Sequence, residues 1–167
     1  MTREIPLTRG LVAIVDDEDY ERASAKRWCA LGPGKSRRGI YAQHYWREGK
    51  KVRAIGLGPF ILRPPAGLVV DHIDGDPLNN TRANLRACTP AQNMLNRPPH
   101  RRWASEQLPK GVYRYKGWAT FQARISVGGK TFILGRFATC EEASRAYDAA
   151  AIKHHGEFAR LNSSEAA

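Results

Sequence analysis

Val69-Val70-Asp71-His72-Ile73-Asp74-Gly75-Asp76-Pro77-Leu78-Asn79-Asn80-Thr81-Arg82-Ala83-Asn84-Leu85-Arg86 is the stretch on which the reading of this 167-residue chain turns. It gathers a carboxylate, an imidazole and several side-chain amides, the groups from which a metal ligand, a base and an orienting amide are made. Phosphodiester cleavage calls for that set: an activated water, neutralisation of the charge that builds on the phosphate, and help for the departing oxygen. Imidazole titrates near neutrality, which makes His72 the candidate general base. Neighbouring strand side chains alternate in direction, so Asp71 is expected to point away from His72. The helix that follows is well marked, with Thr89 at the N-cap, Pro90 at the first helical position, Gln92 three residues after the cap, and Pro98-Pro99 as a stop. Asn93 falls in its first turn.

The order Asp71-His72, Asn84, Asn93 resembles the HNH nuclease motif in the version carried by phage homing endonucleases. The resemblance implies a ββα-metal finger: one strand ends at Asp71-His72, a long loop crosses over, a second strand carries Leu85-Arg86-Ala87-Cys88, and a helix returns with Asn93. It further implies that Asn84 presents its side-chain oxygen to the other ring N–H of His72, fixing the tautomer, and that Asp71 and Asn93 are metal ligands. Hard oxygen donors select Mg²⁺ or Mn²⁺ over zinc, and one ion is expected, with most positions left to water and phosphate oxygens. Asn96 matches the last position of the signature and is the second-choice ligand. Asp74, Asp76, Asn79 and Asn80 are assigned to the structure of the loop, since Asn-rich loops usually satisfy their own backbone. Relatives usually carry a His-Arg pair at the start of the helix before the Asp-His strand. Here Gly58 and Pro59 occupy those places, and Pro59 can still open a short helix.

Composition sets the context. Lysine and arginine number 27 against 16 aspartates and glutamates, a net charge of +11, and such a balance is a footprint of nucleic-acid binding. With 42% hydrophobic and 26% charged residues the chain reads as folded. No apolar run approaches the roughly 20 residues that span a bilayer, and the N-terminus lacks the features of a secretion signal. Cys29, Cys88 and Cys140 are odd in number and far apart, which argues against a disulfide framework or a Cys-rich zinc site. The expected compartment is the cytoplasm of a bacterial or phage-infected host cell.

Upstream of the motif, Leu11-Val12-Ala13-Ile14-Val15 reads as a strand and Asp16-Asp17-Glu18-Asp19 as the start of a helix running towards Trp28. A metal site is the alternative for those four carboxylates, but their adjacency spreads them over diverging helix faces. After a Gly32 to Gly39 loop, Tyr41 to Trp46 and Lys51 to Ile55 flank Arg47-Glu48-Gly49-Lys50 as a hairpin whose basic residues could touch phosphate.

Downstream, Arg97-Pro98-Pro99-His100-Arg101-Arg102 is a stiff, basic spacer. Three strands are expected at Val112 to Tyr115, Trp118 to Val127 and Lys130 to Leu134, the last two joined by Gly128-Gly129. A capping box at Thr139-Cys140-Glu141-Glu142 opens a helix that stops near Gly156. Its Ala143, Ala146, Tyr147 and Ala150 form a stripe suited to lying against a sheet. Phe121, Ala123 and Ile125 alternate with Gln122, Arg124 and Ser126, so one sheet face should be buried and the other polar and exposed. His154 and His155 sit at the helix C-terminus, where cations suit the dipole, and are not read as metal ligands. Gly111-Val112-Tyr113-Arg114-Tyr115, Leu134-Gly135-Arg136-Phe137 and Ala146-Tyr147-Asp148-Ala149-Ala150-Ala151-Ile152 resemble the APETALA2-type DNA-binding domain, as does the ending Gly156-Glu157-Phe158-Ala159-Arg160-Leu161-Asn162. That family lays its sheet in the DNA major groove.

The expectation is an α+β chain with a nuclease domain over 1–97, its ββα-metal motif at about 67–97, a basic linker at 98–109, and a DNA-binding domain over 110–162. An N-terminal mixed module leads into the metal-finger core, and a three-stranded antiparallel sheet packed on one helix follows. Tyr113, Tyr115, Gln122 and Arg124 are the expected contacts on the exposed sheet face, with Arg114, Trp118, Lys130 and Arg136 on neighbouring phosphate or sugar. The implied activity is metal-dependent, site-specific cleavage or nicking of double-stranded DNA, of the homing type, with no obligatory protein partner and no membrane. Two alternatives stand beside it: a DNA-binding regulator on a weakened nuclease core, and a nuclease serving phage DNA packaging.

Overall fold

A computed structural model describes residues 1–32, 39–98 and 108–163. The expected loop at Gly32 to Gly39 and the basic linker at 98–109 fall mostly outside these described residues. The chain divides into two compact units, Met1–Asn93 and Met94–Ala167. No helix among the described residues is long and apolar enough to cross a membrane.

In the first unit, β1 (Thr2–Pro6) and β2 (Val12–Asp16) form an antiparallel pair, and α1 (Asp17–Ser24) follows directly. A second sheet has the order β3 (Cys29–Leu31), β4 (Tyr41–Glu48), β5 (Lys51–Gly56). Glu48 pairs with Lys51, which makes Gly49-Lys50 a two-residue turn, and Gly49 takes φ +59 there. The six-residue α2 (Leu57–Leu62) leads to β6 (Val69–His72), which pairs antiparallel with β7 (Leu85–Cys88). Helix α3 (Pro90–Leu95) starts next. Ile5, Val15, Trp28, Leu57, Ile61 and Leu85 meet in one core with Val70 and Leu78 packed on it. That shared core is why the motif strands and the N-terminal module fold as one body: neither two-stranded sheet has enough apolar surface to stand alone in water.

The acidic run opens a helix as expected, but its carboxylates face elsewhere. Asp16 holds the N-cap position without a side-chain cap bond, and its Oδ2 accepts instead from the backbone N–H of Arg82 at 2.7 Å. Asp19 is buried, receiving Arg82 Nε at 2.7 Å and Arg22 Nη2 at 2.7 Å. Burial alone would raise its pKa; the two guanidinium groups outweigh that and hold the carboxyl below its usual range. Only the aspartate is buried, and the exposed part of each guanidinium is screened by solvent, so the contribution of each pair is reduced from that of a fully buried one.

The second unit has β8 (Val112–Tyr113), β9 (Phe121–Val127) and β10 (Lys130–Phe137) in the antiparallel order β10-β9-β8, with α4 (Cys140–His155) against it. β8 and β9 are shorter than expected, because residues 114–120 form a turn-rich link rather than strand; β10 runs three residues further, with a bulge between Ile133 and Gly135. Gly128 and Gly129 both take positive φ in the two-residue turn, the geometry that matches strand twist. The capping box at Thr139 and Glu142 is present in both directions. Ala143, Tyr147 and Ala151 are buried against Val112, Ala123 and Ile125. Gly111 lets the chain pass Tyr147: it sits at φ +75, and a Cβ there would lie 2.0 Å from the Tyr147 ring.

Candidate active site and basic sheet face

Asp71 and His72 close β6, and Asn84 leads into β7, so the loop between them decides what reaches the imidazole. Asp74 is its hub. Its Oδ1 receives the Asp76 N–H at 2.8 Å and Asn84 Nδ2 at 2.9 Å, and its Oδ2 receives Asn79 Nδ2 at 2.8 Å. Asn84 is buried, with its Oδ1 accepting from the Asp74 N–H at 3.0 Å and its Nδ2 donating also to the Asn79 carbonyl at 2.7 Å. The expectation that Asn84 orients His72 is corrected by this geometry: its amide is committed to the Asp74 N–H, the Asp74 carboxylate and the Asn79 carbonyl.

The amide beside the imidazole belongs to Asn80. Its Oδ1 lies 3.1 Å from His72 Nε2, while its Nδ2 donates to the Pro77 carbonyl at 3.1 Å. A carbonyl can only accept, so the amide nitrogen must face Pro77 and the oxygen must face His72. Nε2 therefore carries the proton, and the in-plane lone pair is on Nδ1. Asn80 is 1% exposed, and its backbone N–H donates to the Ile14 carbonyl at 2.7 Å while Leu78 accepts from Ile14 N–H at 2.8 Å. The loop is thus stitched along β2, and Arg82 clamps it to Asp19 from the other side. β2 and α1 thus fix the loop that holds the imidazole. Sequence reading counted Asn80 as loop structure and missed this contact. A faint signal was there, since Asn79-Asn80 offers one amide more than the Asp74 hub uses.

Gly58 accounts for the departure noted in the sequence. It is buried in α2, and a Cβ on it would come within 3.3 Å of Asn80 Oδ1 and 3.5 Å of His72 Cε1. The absence of a side chain lets α2 approach the His72–Asn80 pair closely.

Asp71 is buried and stands across the ladder from Arg86. Its Oδ2 receives Arg86 Nε at 2.9 Å and Nη2 at 2.7 Å, a contact that sequence reading did not anticipate although cross-strand opposites follow from the register. The Cys88 thiol reports on the same neighbourhood: burial pushes its pKa up first, Asp71's negative charge adds to that, and the Asn93 backbone hydrogen bond opposes it. The Asn93 backbone, in the first turn of α3, thus reaches the Cys88 thiol at the end of β7. The turn is fixed as expected, with Gln92 N–H to Thr89 Oγ1 at 3.2 Å and Thr89 N–H to Gln92 Oε1 at 2.8 Å. Asn93 is half-buried. Among the described residues no cluster of three or more His, Cys, Asp or Glu side chains stands ready to hold an ion. Donor chemistry nevertheless suits a hard divalent ion: a carboxylate has about four lone-pair sites, so Asp71 can serve an ion while bound to Arg86. Asn96 is buried, and its backbone carbonyl accepts from Arg160 Nη1 at 3.3 Å.

On the second unit, one sheet face carries a chain of aromatic and basic side chains. Arg124's guanidinium lies 5.2 Å from the Tyr113 ring and 5.4 Å from that of Tyr115, Tyr115 meets Trp118 at 4.8 Å, and Arg136 covers Trp118 at 4.1 Å. Arg114 lies 5.4 Å from the Phe121 ring, and Lys130 is exposed at the hairpin. Gln122 corrects the exposure expected for it on the polar face of β9. It is 3% exposed, its Oε1 taking Arg124 Nε at 2.6 Å, because Tyr113 and Arg136 on the flanking strands stand opposite it. It orients Arg124 rather than offering an open edge. At the far end of α4, His155 Nε2 meets the Ser126 carbonyl at 3.0 Å, a structural tie.

Comparison with known proteins places these pieces. The chain is 35% identical over 98 residues to an uncharacterized HNH endonuclease of Acanthamoeba polyphaga mimivirus, a match covering 59% of this chain and 49% of that protein. It is 32% identical over 138 residues to an AP2-like ethylene-responsive transcription factor of Arabidopsis thaliana, covering 77% of this chain and 24% of that protein. A second such factor from the same plant is 51% identical over 55 residues, 32% of this chain and 11% of that protein. The chain thus spans about half the length of the viral relative and a quarter or less of the plant factors. Residues 63–95, which hold β6, the Asp74-centred loop, β7 and α3, match the model of the HNH endonuclease family.

Proposed function

We propose that this chain is a metal-dependent DNA endonuclease of the homing type, cutting or nicking duplex DNA at a preferred sequence. The observation that carries the reading is the His72–Asn80–Pro77 hydrogen-bond chain, which puts the imidazole lone pair on Nδ1 inside the segment that matches the HNH endonuclease model. In this reading His72 Nδ1 takes the proton from the attacking water, and Asn80 holds the ring and its tautomer. Asp71 and Asn93 would hold one Mg²⁺ or Mn²⁺ in a ββα-metal arrangement of β6, β7 and α3, with Arg86 fixing the plane of the Asp71 carboxylate. When bound, such an ion stabilises charge on the phosphate and on the departing oxygen. Residues 1–97 are the nuclease domain, 98–109 the linker and 110–162 the DNA reader, whose Arg124, Arg136, Tyr113, Tyr115 and Trp118 face supplies sequence preference.

The test is supercoiled plasmid with Mg²⁺ or Mn²⁺, wild type against His72→Ala, followed by mapping of the cut ends. Wild type should give nicked or linear product with recurring ends, and the variant should be slower by about 10²- to 10⁴-fold with duplex affinity intact. No cleavage with either ion, or an undiminished rate in the variant, refutes the reading. The likeness to plant transcription factors favours a second reading, a DNA-binding regulator, and DNA binding without cleavage by the wild type would select it.

A further inference from the structure

Several of the first unit's cations are tied into its scaffold. Arg3, Arg22, Arg82 and Arg86 are each paired with an aspartate of the scaffold. The β4–β5 hairpin differs. Its one carboxylate, Glu48, is taken by Arg53 at 2.8 Å, and Arg47, Lys50 and Lys51 make no ion pair among the described residues. Residues 45–54 are exposed on both sheet faces, with Tyr45, Trp46 and Val52 at 43%, 42% and 64%. The register puts Trp46 beside Arg53 and Glu48 beside Lys51 on one face, and Arg47 beside Val52 on the other. Positive charge therefore flanks the ribbon on both sides and at its tip.

A hairpin bare on both faces is marginal in water, yet this one is braced from its base. His44 stacks on Trp46 at 5.9 Å and meets the buried Trp28 at 5.8 Å, while its Nδ1 lies 2.9 Å from the Arg27 carbonyl. An aromatic ladder thus runs from the core outwards, and Tyr45 is held by Gln43 at 2.6 Å. The bracing prepares a projecting two-stranded ribbon about 15 Å long.

We infer that the β4–β5 hairpin is a second DNA-binding element, separate from the sheet of the other unit, that enters a groove of duplex DNA and contacts phosphates on both sides through Arg47, Lys50 and Lys51. This rests on the endonuclease reading for the identity of the polyanion. A two-stranded ribbon fits a major groove about 12 Å wide, and cations on both faces suit the two phosphate rows that border a groove. A membrane surface or an acidic protein patch would engage one face.

The test uses the full chain carrying His72→Ala, so that DNA is not consumed, with and without Arg47→Ala/Lys50→Ala/Lys51→Ala. Duplex affinity is measured by fluorescence anisotropy from 50 to 300 mM salt, with thermal unfolding to verify the fold. Losing three phosphate contacts should reduce the slope of log affinity against log salt by about 2 to 3 and weaken binding at least tenfold. The conservative Arg47→Lys/Lys50→Arg/Lys51→Arg chain should keep both. Unchanged slope and affinity in a normally folded triple variant overturn the inference. So does a hairpin-dependent affinity for phosphatidylserine vesicles in a variant whose DNA slope is unchanged. The two readings fail separately: a wild type that cuts no DNA while the hairpin slope is present refutes the endonuclease alone, and a wild type that cuts while the slope is unmoved refutes the hairpin alone.

Discussion

Replacing Asn80 by aspartate changes one side-chain NH₂ to an oxygen at the point where the structure holds the imidazole. The acceptor 3.1 Å from His72 Nε2 is kept, and the donor to the Pro77 carbonyl at 3.1 Å is lost. Two consequences follow. A buried carbonyl without its donor costs about 1–3 kcal/mol of stability, so the melting temperature of the first unit should fall. A carboxylate about 4 Å from the imidazole also favours the imidazolium, by roughly 4 kcal/mol at an effective dielectric of 20 before desolvation of the new charge is subtracted. An upward displacement of about 1 to 2 pH units in the acid limb of the rate profile is the expected remainder. Taking the ordinary imidazole value of about 6.5 as the starting point, the Asn80→Asp chain should therefore cleave about 3- to 25-fold more slowly than wild type at pH 7, recovering towards pH 9. Asn80→Ala lacks both the charge and the acceptor. It should lose about 10- to 100-fold without regaining rate at alkaline pH. The assay is single-turnover cleavage of an end-labelled duplex from pH 5.5 to 9.5 at saturating metal. Asn84→Ala is the control, expected to lower stability by unpicking the Asp74 hub while leaving the limb in place. Wild-type profiles for both Asn80 variants, or a shift in Asn84→Ala alone, would refute the assignment of Asn80.

The remaining predictions concern metal, packing and pH. Asp71→Ala should raise the Mn²⁺ concentration needed for half-maximal cleavage at least tenfold, and Asn93→Ala should do so less severely; a metal titration in which only Asn96→Ala shifts the midpoint would move the ligand by one helical step. Gly111→Ala should destabilise the second unit by about 2–4 kcal/mol, from the positive φ and the overlap with Tyr147, and denaturant unfolding showing under 1 kcal/mol would sink the packing argument. Alkaline unfolding should show two opposed trends in that unit. Burial, with Arg160's charge, brings Lys110 down to about 8, although its Nζ donates to the Leu95 carbonyl; below pH 8 the cation is a net cost to the folded state, and stability should climb as pH rises from about 8 towards 10.5. Burial, with Asp148's charge and then Tyr113, brings Tyr147 up to about 12, so its contribution is whole below pH 10 and lost between 10 and 12. Lys110→Met should remove the climb and Tyr147→Phe the fall, each read from melting temperature against pH.

What the sequence by itself determined is what short-range contacts carry. Thr89 with Gln92 and Thr139 with Glu142 are side chains three residues apart that satisfy each other's backbone, so both helix starts were legible with no knowledge of the rest of the chain. The Gly128-Gly129 turn, the Tyr41 and Lys51 strands and the small-residue stripe of α4 are likewise local or periodic. The spacing of Asp71, His72, Asn84 and Asn93 pointed to the segment that holds the candidate site. Which atoms meet there was decided only by tertiary structure. Asn80, four residues before Asn84, reaches the imidazole because the Asp74 hub consumes the Asn84 amide, while β2 and Asp19, more than sixty residues upstream in sequence, pin the loop. Gln122 obeys the strand alternation yet is buried, because its accessibility depends on Tyr113 and Arg136 on neighbouring strands. A side chain's partners are set by whichever distant segments the shared core brings beside it. That competition between near and far hydrogen-bond partners has no period and no fixed spacing to read in the sequence.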